Sequence, residues 1–206
     1  MIARLTRFAR TPHAAVAVFA IAIATTFASV SCTKPPGNGV TEVQQSDAGP
    51  AVDVDVMAFL SEARALHHDA NVREQTDDVS GAIAALDRLT HARRPHEGTL
   101  VPEVEEVLAD THARIAELRL RSGDLDGASK DIKAGMTHAP EATYFRGHLL
   151  EVDGIIEEAR AAALADAGKK DDAQKARSRA LELLHEAVLV QEKVISHSLE
   201  GREAGK

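Results

Sequence analysis

The chain has no tryptophan, one tyrosine, five phenylalanines and a single cysteine among its 206 residues. Phe8, Phe19 and Phe27 fall in the first 31 residues, so only Phe59, Tyr144 and Phe145 remain beyond them. Three aromatics leave little for base-stacking platforms or for aromatic cages around a cation. One cysteine excludes an intramolecular disulfide. No run alternates β-branched with polar residues, which leaves a β-sheet without support. No serine sits in a Gly-x-Ser-x-Gly elbow and no glycine-rich phosphate loop follows a strand, so neither nucleophilic catalysis nor nucleotide chemistry has a motif to stand on. We expect no enzyme, no catalytic residue and no cofactor.

Acidic residues are missing before Glu42, while Arg4, Arg7 and Arg10 open the chain. Residues 14–24 then read AAVAVFAIAIA, an unbroken apolar run, followed by TTFASVSC. A basic start, an apolar stretch of roughly 7–15 residues and an exit of small residues is the layout of a secretory signal. A membrane-spanning helix needs about 20 apolar residues to cross roughly 30 Å of hydrocarbon, and Thr25, Thr26, Ser29 and Ser31 interrupt this one. Loss of residues 1–31 would take Lys plus Arg from 24 to 21 against 32 acids, a net charge near −11. Such a surface repels phosphate backbones, so no nucleic-acid partner is expected.

Ser29-Val30-Ser31-Cys32 resembles the lipobox of bacterial lipoproteins, with Ser29 where the family usually has leucine. The resemblance implies cleavage before Cys32, a lipid on Cys32, and a protein facing the periplasm from a membrane. Thr33, in place of aspartate after the cysteine, implies the outer membrane. Lipidation also accounts for an otherwise odd thiol in an exported chain. Residues 33–50 hold three prolines, three glycines and almost no large apolar side chain, as a flexible spacer does. The expected organisation is a signal peptide over 1–31, lipid attachment and linker over 32–52, a helical domain over 53–200, and a disordered tail over 201–206.

The domain is rich in Ala, Leu, Glu and Arg, good helix formers, and its punctuation places six helices. The first spans about Val54 to Arg73, with Met57, Leu60 and Ala63, plus Ala65 and Leu66, at helical spacing. Asp77 or Asp78 caps the second, which carries Ile83, Leu86 and Leu89. Pro102 suits the first turn of the third, which presents Val104, Val107, Leu108, Ile115, Leu118 and Leu120 and ends at Gly123. Asp124 caps the fourth. Pro140 begins the fifth, which ends at Gly168, and the sixth runs from about Asp171 to Leu199. Positions 173, 176, 180, 183, 187, 190, 194 and 197 of the sixth alternate spacings of three and four, the seam of a helix packed lengthwise on another. At 1.5 Å per residue each of the last two helices would reach roughly 40 Å.

Ala82, Ala128 and Ala173 recur early in the second helix of each pair, 46 and 45 residues apart. Fixed-period helical hairpins read as a repeat array. Gly123, Ala128, Ile132, Gly135 and Pro140 match the second helix of a tetratricopeptide repeat (TPR), which the chain resembles strongly over one repeat and weakly over the rest. His112 and Arg119 stand where that family has bulky aromatics. The implied fold is all-α, three helical hairpins in a short TPR-like array, the last long and coiled-coil-like. The implied function is a non-catalytic protein-interaction or assembly module. Carboxylate clamps of that family use asparagines, and only Asn38 and Asn71 are present. An acidic array favours a neutral or basic protein partner. We expect it on the inner face of the third helix, at Ala113, Glu117, Leu120 and Arg121.

Nine histidines beyond the leader keep a second reading open, a helical bundle binding a metal or small ligand. Glu182 and His185 have the Glu-x-x-His spacing of di-iron bundles, but no second such pair exists. His67-His68-Asp69 places its neighbours about 100° apart on a helix. These histidines read better as solvated or helix-end residues, and no metal site is expected. A third reading is a coiled-coil-like hairpin that dimerises along its last helix.

Overall fold

A computed structural model describes residues 53–204. The leader, Cys32 and the linker lie outside the described residues. Within them the chain forms six helices: α1 (Val54–Gln75), α2 (Val79–Thr90), α3 (Pro102–Arg121), α4 (Leu125–His138), α5 (Tyr144–Asp166) and α6 (Lys170–Ala204). No strand occurs among the described residues. The all-α expectation is met.

The first two hairpin turns are built alike, from the same four residues. Asp78 accepts from the Gly81 amide at 2.9 Å and pairs with Arg73 at 3.0 Å. Asp124 accepts from the Gly127 amide at 2.9 Å and pairs with Arg119 at 3.1 Å. Each carboxylate satisfies an amide that the first turn leaves unpaired. Gly81 and Gly127 are required because the capping carboxylate lies where their Cβ would be. Asp77 and Gly123 take the left-handed backbone conformation (φ 59° and 82°) that reverses the chain. One residue past each glycine, Ala82 and Ala128 are wholly buried, as is Ala173 in the third hairpin. A methyl at these positions lets the paired helices close on each other.

The helices pack as α1 on α2, α3 on α4 and α5 on α6, and α3 and α5 each also touch both helices of the preceding hairpin. Four apolar clusters fill these junctions. One joins Phe59, Leu66 and Leu89 to Val104 and Leu108. The next joins Leu86 to Ile115 and Leu118. The third gathers Ala113, Ala116, Ala128 and Ile132 with Leu149, Val152 and Ile156. The last holds Leu150 against Leu183 and Ala187.

Four expectations are corrected. The buried line of α1 is Val56, Phe59, Ala63, Leu66 and Ala70, while Met57 and Ala65 face solvent. Ala63 and Leu66 are buried as expected and Leu60 packs beside them, while Val56 and Phe59 take the places expected of Met57 and Ala65, since Phe59 buries the larger side chain. Pro140 lies in the connection before α5 rather than at its start, because Thr143 supplies the cap, accepting from the Arg146 amide at 3.2 Å. The last two helices differ in length: α5 has 23 residues and α6 has 35, about 35 and 52 Å at 1.5 Å per residue. Finally, α6 continues to Ala204, four residues into the expected tail. Gly201 costs a helix only about 1 kcal/mol, and good helix formers follow it.

The α6 seam is buried at 173, 176, 180, 183 and 187 and fades at 190 and 194, and His197 is exposed. The reason is length. Gln191 donates to the carbonyl of Tyr144, the first residue of α5, at 3.4 Å, so α6 outruns its partner from about residue 192.

Gly135 marks the tightest junction of α4 with its neighbours. A Cβ there would come within 2.6 Å of Leu149 Cδ2 and 3.0 Å of His112 Cβ. Gly135→Val should therefore lower stability by about 1–3 kcal/mol, measured as an earlier urea midpoint with an unchanged slope.

Candidate functional site

The inner face of α3 carries a belt of charges. Arg114 and Arg121 both donate to Glu74 of α1, Arg121 at 3.1 Å. Arg114 also reaches Glu117 at 3.3 Å, and Glu117 lies 3.5 Å from His148 of α5. His148 is in turn 4.0 Å from Asp110. The belt thus ties three helices across one face. The hydrogen bond between them holds the Glu117 carboxyl below its ordinary range and raises His148 above its own. Beside it, the Thr111 hydroxyl donates to the Val107 carbonyl at 2.7 Å and so accepts from His67 Nε2 at 3.0 Å. Burial lowers the His67 pKa.

This geometry changes the expected contact set. Ala113 is 1% exposed, sealed between α4 and α5 in the core, and cannot meet a partner. Leu120 is half-buried against the same cluster. Glu117 is half-buried and engaged within the belt, and Arg121 is exposed but paired to Glu74. Of the four residues only these last two reach the surface as charges, and both already have partners.

A second polar cluster joins α3 to α4. The rings of His112 and His138 stack with centroids 5.6 Å apart and planes 9° apart. His138 pairs with Glu105 at 2.6 Å, and Glu105 also takes Arg94 at 3.0 Å. His112 Nδ1 is buried with no hydrogen-bond partner. Burial, then the His138 charge, push the His112 pKa down to about 4. His112 is therefore neutral at pH 7 and does the packing work of an aromatic ring. Arg119 is bound to Asp131 at 2.7 Å as well as to the capping Asp124.

The metal-ligand candidates stay apart. Glu182 and His185 are exposed on α6, Asp69 is held by Arg73 at 3.0 Å, and His68 is exposed. Among the described residues no three His, Cys, Asp or Glu side chains come together as a metal site. No helix among them is long and apolar enough to cross a membrane.

The far end of the α5–α6 hairpin offers a different surface. Where α6 outruns α5, a cleft of about 590 Å³ lies between Tyr144, Phe145, Val194 and His197. It adjoins a narrower cleft of about 260 Å³ lined by Leu100, Pro102, Ala139, Pro140 and Phe145. Glu106, Glu141, Thr143 and Phe145 border both, so the two form one groove. Its floor is apolar, and Leu100 and Tyr144 stand exposed beside it. Its rim carries Glu106, Glu141 and Glu200 against Lys193, a net negative edge. Sequence reasoning missed this groove, although the seam positions 194 and 197, running on past α5, were the signal for it.

Set against known proteins, the chain matches no family model, and no curated sequence matches it.

The His112 cluster generates a pH prediction. A histidine whose folded pKa lies below its unfolded value of about 6.5 lets the unfolded chain bind more protons. Its contribution is present above pH 6.5 and is lost as pH falls from there toward 4. His148 acts in the opposite sense: its contribution is present below pH 6.5 and lost as pH rises through its raised pKa. His112→Phe should therefore flatten the fall in melting temperature between pH 6.5 and 5 and leave the behaviour above pH 7 unchanged. An unaltered acid limb would show that His112 is solvated.

Proposed function

We propose that the chain is an exported, lipid-anchored, non-catalytic protein-binding module of tetratricopeptide-like construction, held at the periplasmic face of a membrane, the outer one by the residue after Cys32. The signal-like segment and the lipobox resemblance at Cys32 support export and anchoring. The Asp cap and glycine shared by the first two hairpins, and the buried alanine that recurs in all three at 46 and 45 residues, with each hairpin packed on the one before it, support the repeat reading.

The observation that carries the binding reading is the overhang of α6. A helix seam that continues past its partner leaves Val194 and His197 without the neighbour that Leu183 and Ala187 have. Beside it lie Phe145 and Leu100, forming an apolar floor with an acidic rim. The ligand that fits is an amphipathic segment with a basic flank, its apolar face laid in the groove as helix-binding grooves accept their targets. The charge belt on the first helices serves mainly to hold α1, α3 and α5 together, since its members satisfy one another.

Two measurements test this. Cys32→Ala should move the protein from the membrane pellet to the soluble fraction, and retention in the pellet would mean another anchor. Val194→Asp should abolish co-purification of the partner while the melting temperature stays close to wild type, because Val194 lies outside the apolar clusters of the core. A Val194→Asp protein that still retains the partner places recognition elsewhere.

A further inference from the structure

The narrower part of the groove is walled in part by two polar side chains from different helices. His138, the last residue of α4, and Glu105 of α3 both line it, meeting at 2.6 Å with only 12% and 15% of their side chains exposed. The ring of His112, also on α3, stacks on His138 with the two planes 9° apart. At this corner α3 and the end of α4 therefore meet through two imidazoles and one carboxylate. Glu106 and Glu141 border the same cleft. From α5, Arg146 donates to the carbonyl of Ala139, the residue after His138, at 3.1 Å.

Such a corner holds while His112 is uncharged. A proton added to the ring makes both nitrogens donors, and Nδ1 is buried with no acceptor to receive it. Of the charged groups facing His112, His138 of α4, His91 of α2 and Arg94 of the α2–α3 connection oppose a proton there, while Asp87 of α2 favours it. Glu105 is already shared between His138 and Arg94. The packed ring titrates at about 4, against 6.5 once it reaches water. The closed corner is therefore fully favoured above pH 6.5 and loses ground as pH falls from there toward 4. Between pH 7.5 and pH 5 this linkage shifts the balance toward an open corner by roughly 30-fold. Opening disturbs little else, because His138 ends its helix and helix ends open readily.

We propose that this corner is an acid-released latch on the groove: a proton on His112 parts the last turn of α4 from α3, and the narrower cleft loses one wall. Acid then releases the segment bound there, and the added positive charge repels its basic flank. The release rests on the groove being the binding site proposed above. The opening itself is a property of the fold and needs no partner.

Hydrogen exchange of the detergent-solubilised full chain, corrected for the intrinsic rate at each pH, reads the opening in the absence of any partner. The amides of residues 136–138 should lose protection by roughly 30-fold between pH 7.5 and pH 5. In His112→Phe, whose ring stacks on His138 but takes no proton, the loss should stay below about 3-fold. Equal loss in the two proteins, or none in the wild type, would overturn the latch. His138→Gln provides a second check, since it removes the neighbouring charge and leaves His112 in place. It should raise the pH at which His112 titrates by carbon-13 NMR, and an unchanged titration would contradict the coupling of the two rings. The release is read separately, on proteins that co-purify with the full chain at pH 7.5. A wash at pH 5 should elute them from the wild type and leave them on His112→Phe. Elution from both would show that the groove empties without the latch, and the regulation would be wrong even if the opening were right.

Discussion

The architecture depends on how closely the two helices of each hairpin approach, and that approach is set at one small residue per hairpin. Ala82, Ala128 and Ala173 have no exposed surface at all, and each lies one turn into the second helix of its pair. Any larger side chain there would push the helices apart and shift every contact farther along. In the first two hairpins the capping aspartate fixes the entry angle just before this point, with a glycine under the carboxylate and an arginine from the preceding helix across it. Turn geometry and helix separation are thus specified together within about ten residues, and the apolar clusters between hairpins follow from that placement.

The third hairpin departs from this pattern, and its departure gives the molecule its available surfaces. Its turn keeps the left-handed glycine, Gly168 at φ 75°, and the buried Ala173, but Lys169 stands where Asp78 and Asp124 cap the other two. Its contacts run along α5 by way of alanines and glycines: Ala180 and Leu183 on one side, and Gly147 and Gly154 on the other, lying under Gln191 and Leu184. Small residues make this pairing close and long. Because α6 has twelve residues more than α5, the pairing ends before α6 does. Among the described residues the α5–α6 hairpin has a neighbouring hairpin on one side only, so uncovered apolar side chains concentrate there. The first helices show the contrary case, in which Glu74, Arg114, Glu117 and His148 neutralise one another across the face.

Much of this was legible in the sequence because its signals are local. Proline, glycine and aspartate mark the helix ends through backbone geometry alone, and five of the six helices begin within two residues of where those signals place them, α5 beginning four past Pro140. The α6 seam was legible because a spacing of three and four has one structural meaning over so many residues. The stripe on α1 was legible only in part: Ala63 and Leu66 are buried as expected, but whether Met57 or Phe59 joins them is decided by the neighbouring helices. The burial of Ala113 was invisible for a related reason: alanine is equally at home on a surface and in a tight crossing. Long-range polar pairs leave no local trace. Glu74 and Arg114 are forty residues apart, and the stacked His112 and His138 share no motif.

Under the proposed function, recognition lies where α6 outruns α5 and not on the charge belt that joins α1, α3 and α5. Photo-crosslinking amino acids placed one at a time at His197 and at Arg121 of the full chain in living cells compare the two surfaces directly. Both positions are exposed, so neither replacement disturbs the core. A discrete adduct with a second protein is expected from position 197 and none from position 121. An adduct from 121 with none from 197 would contradict it.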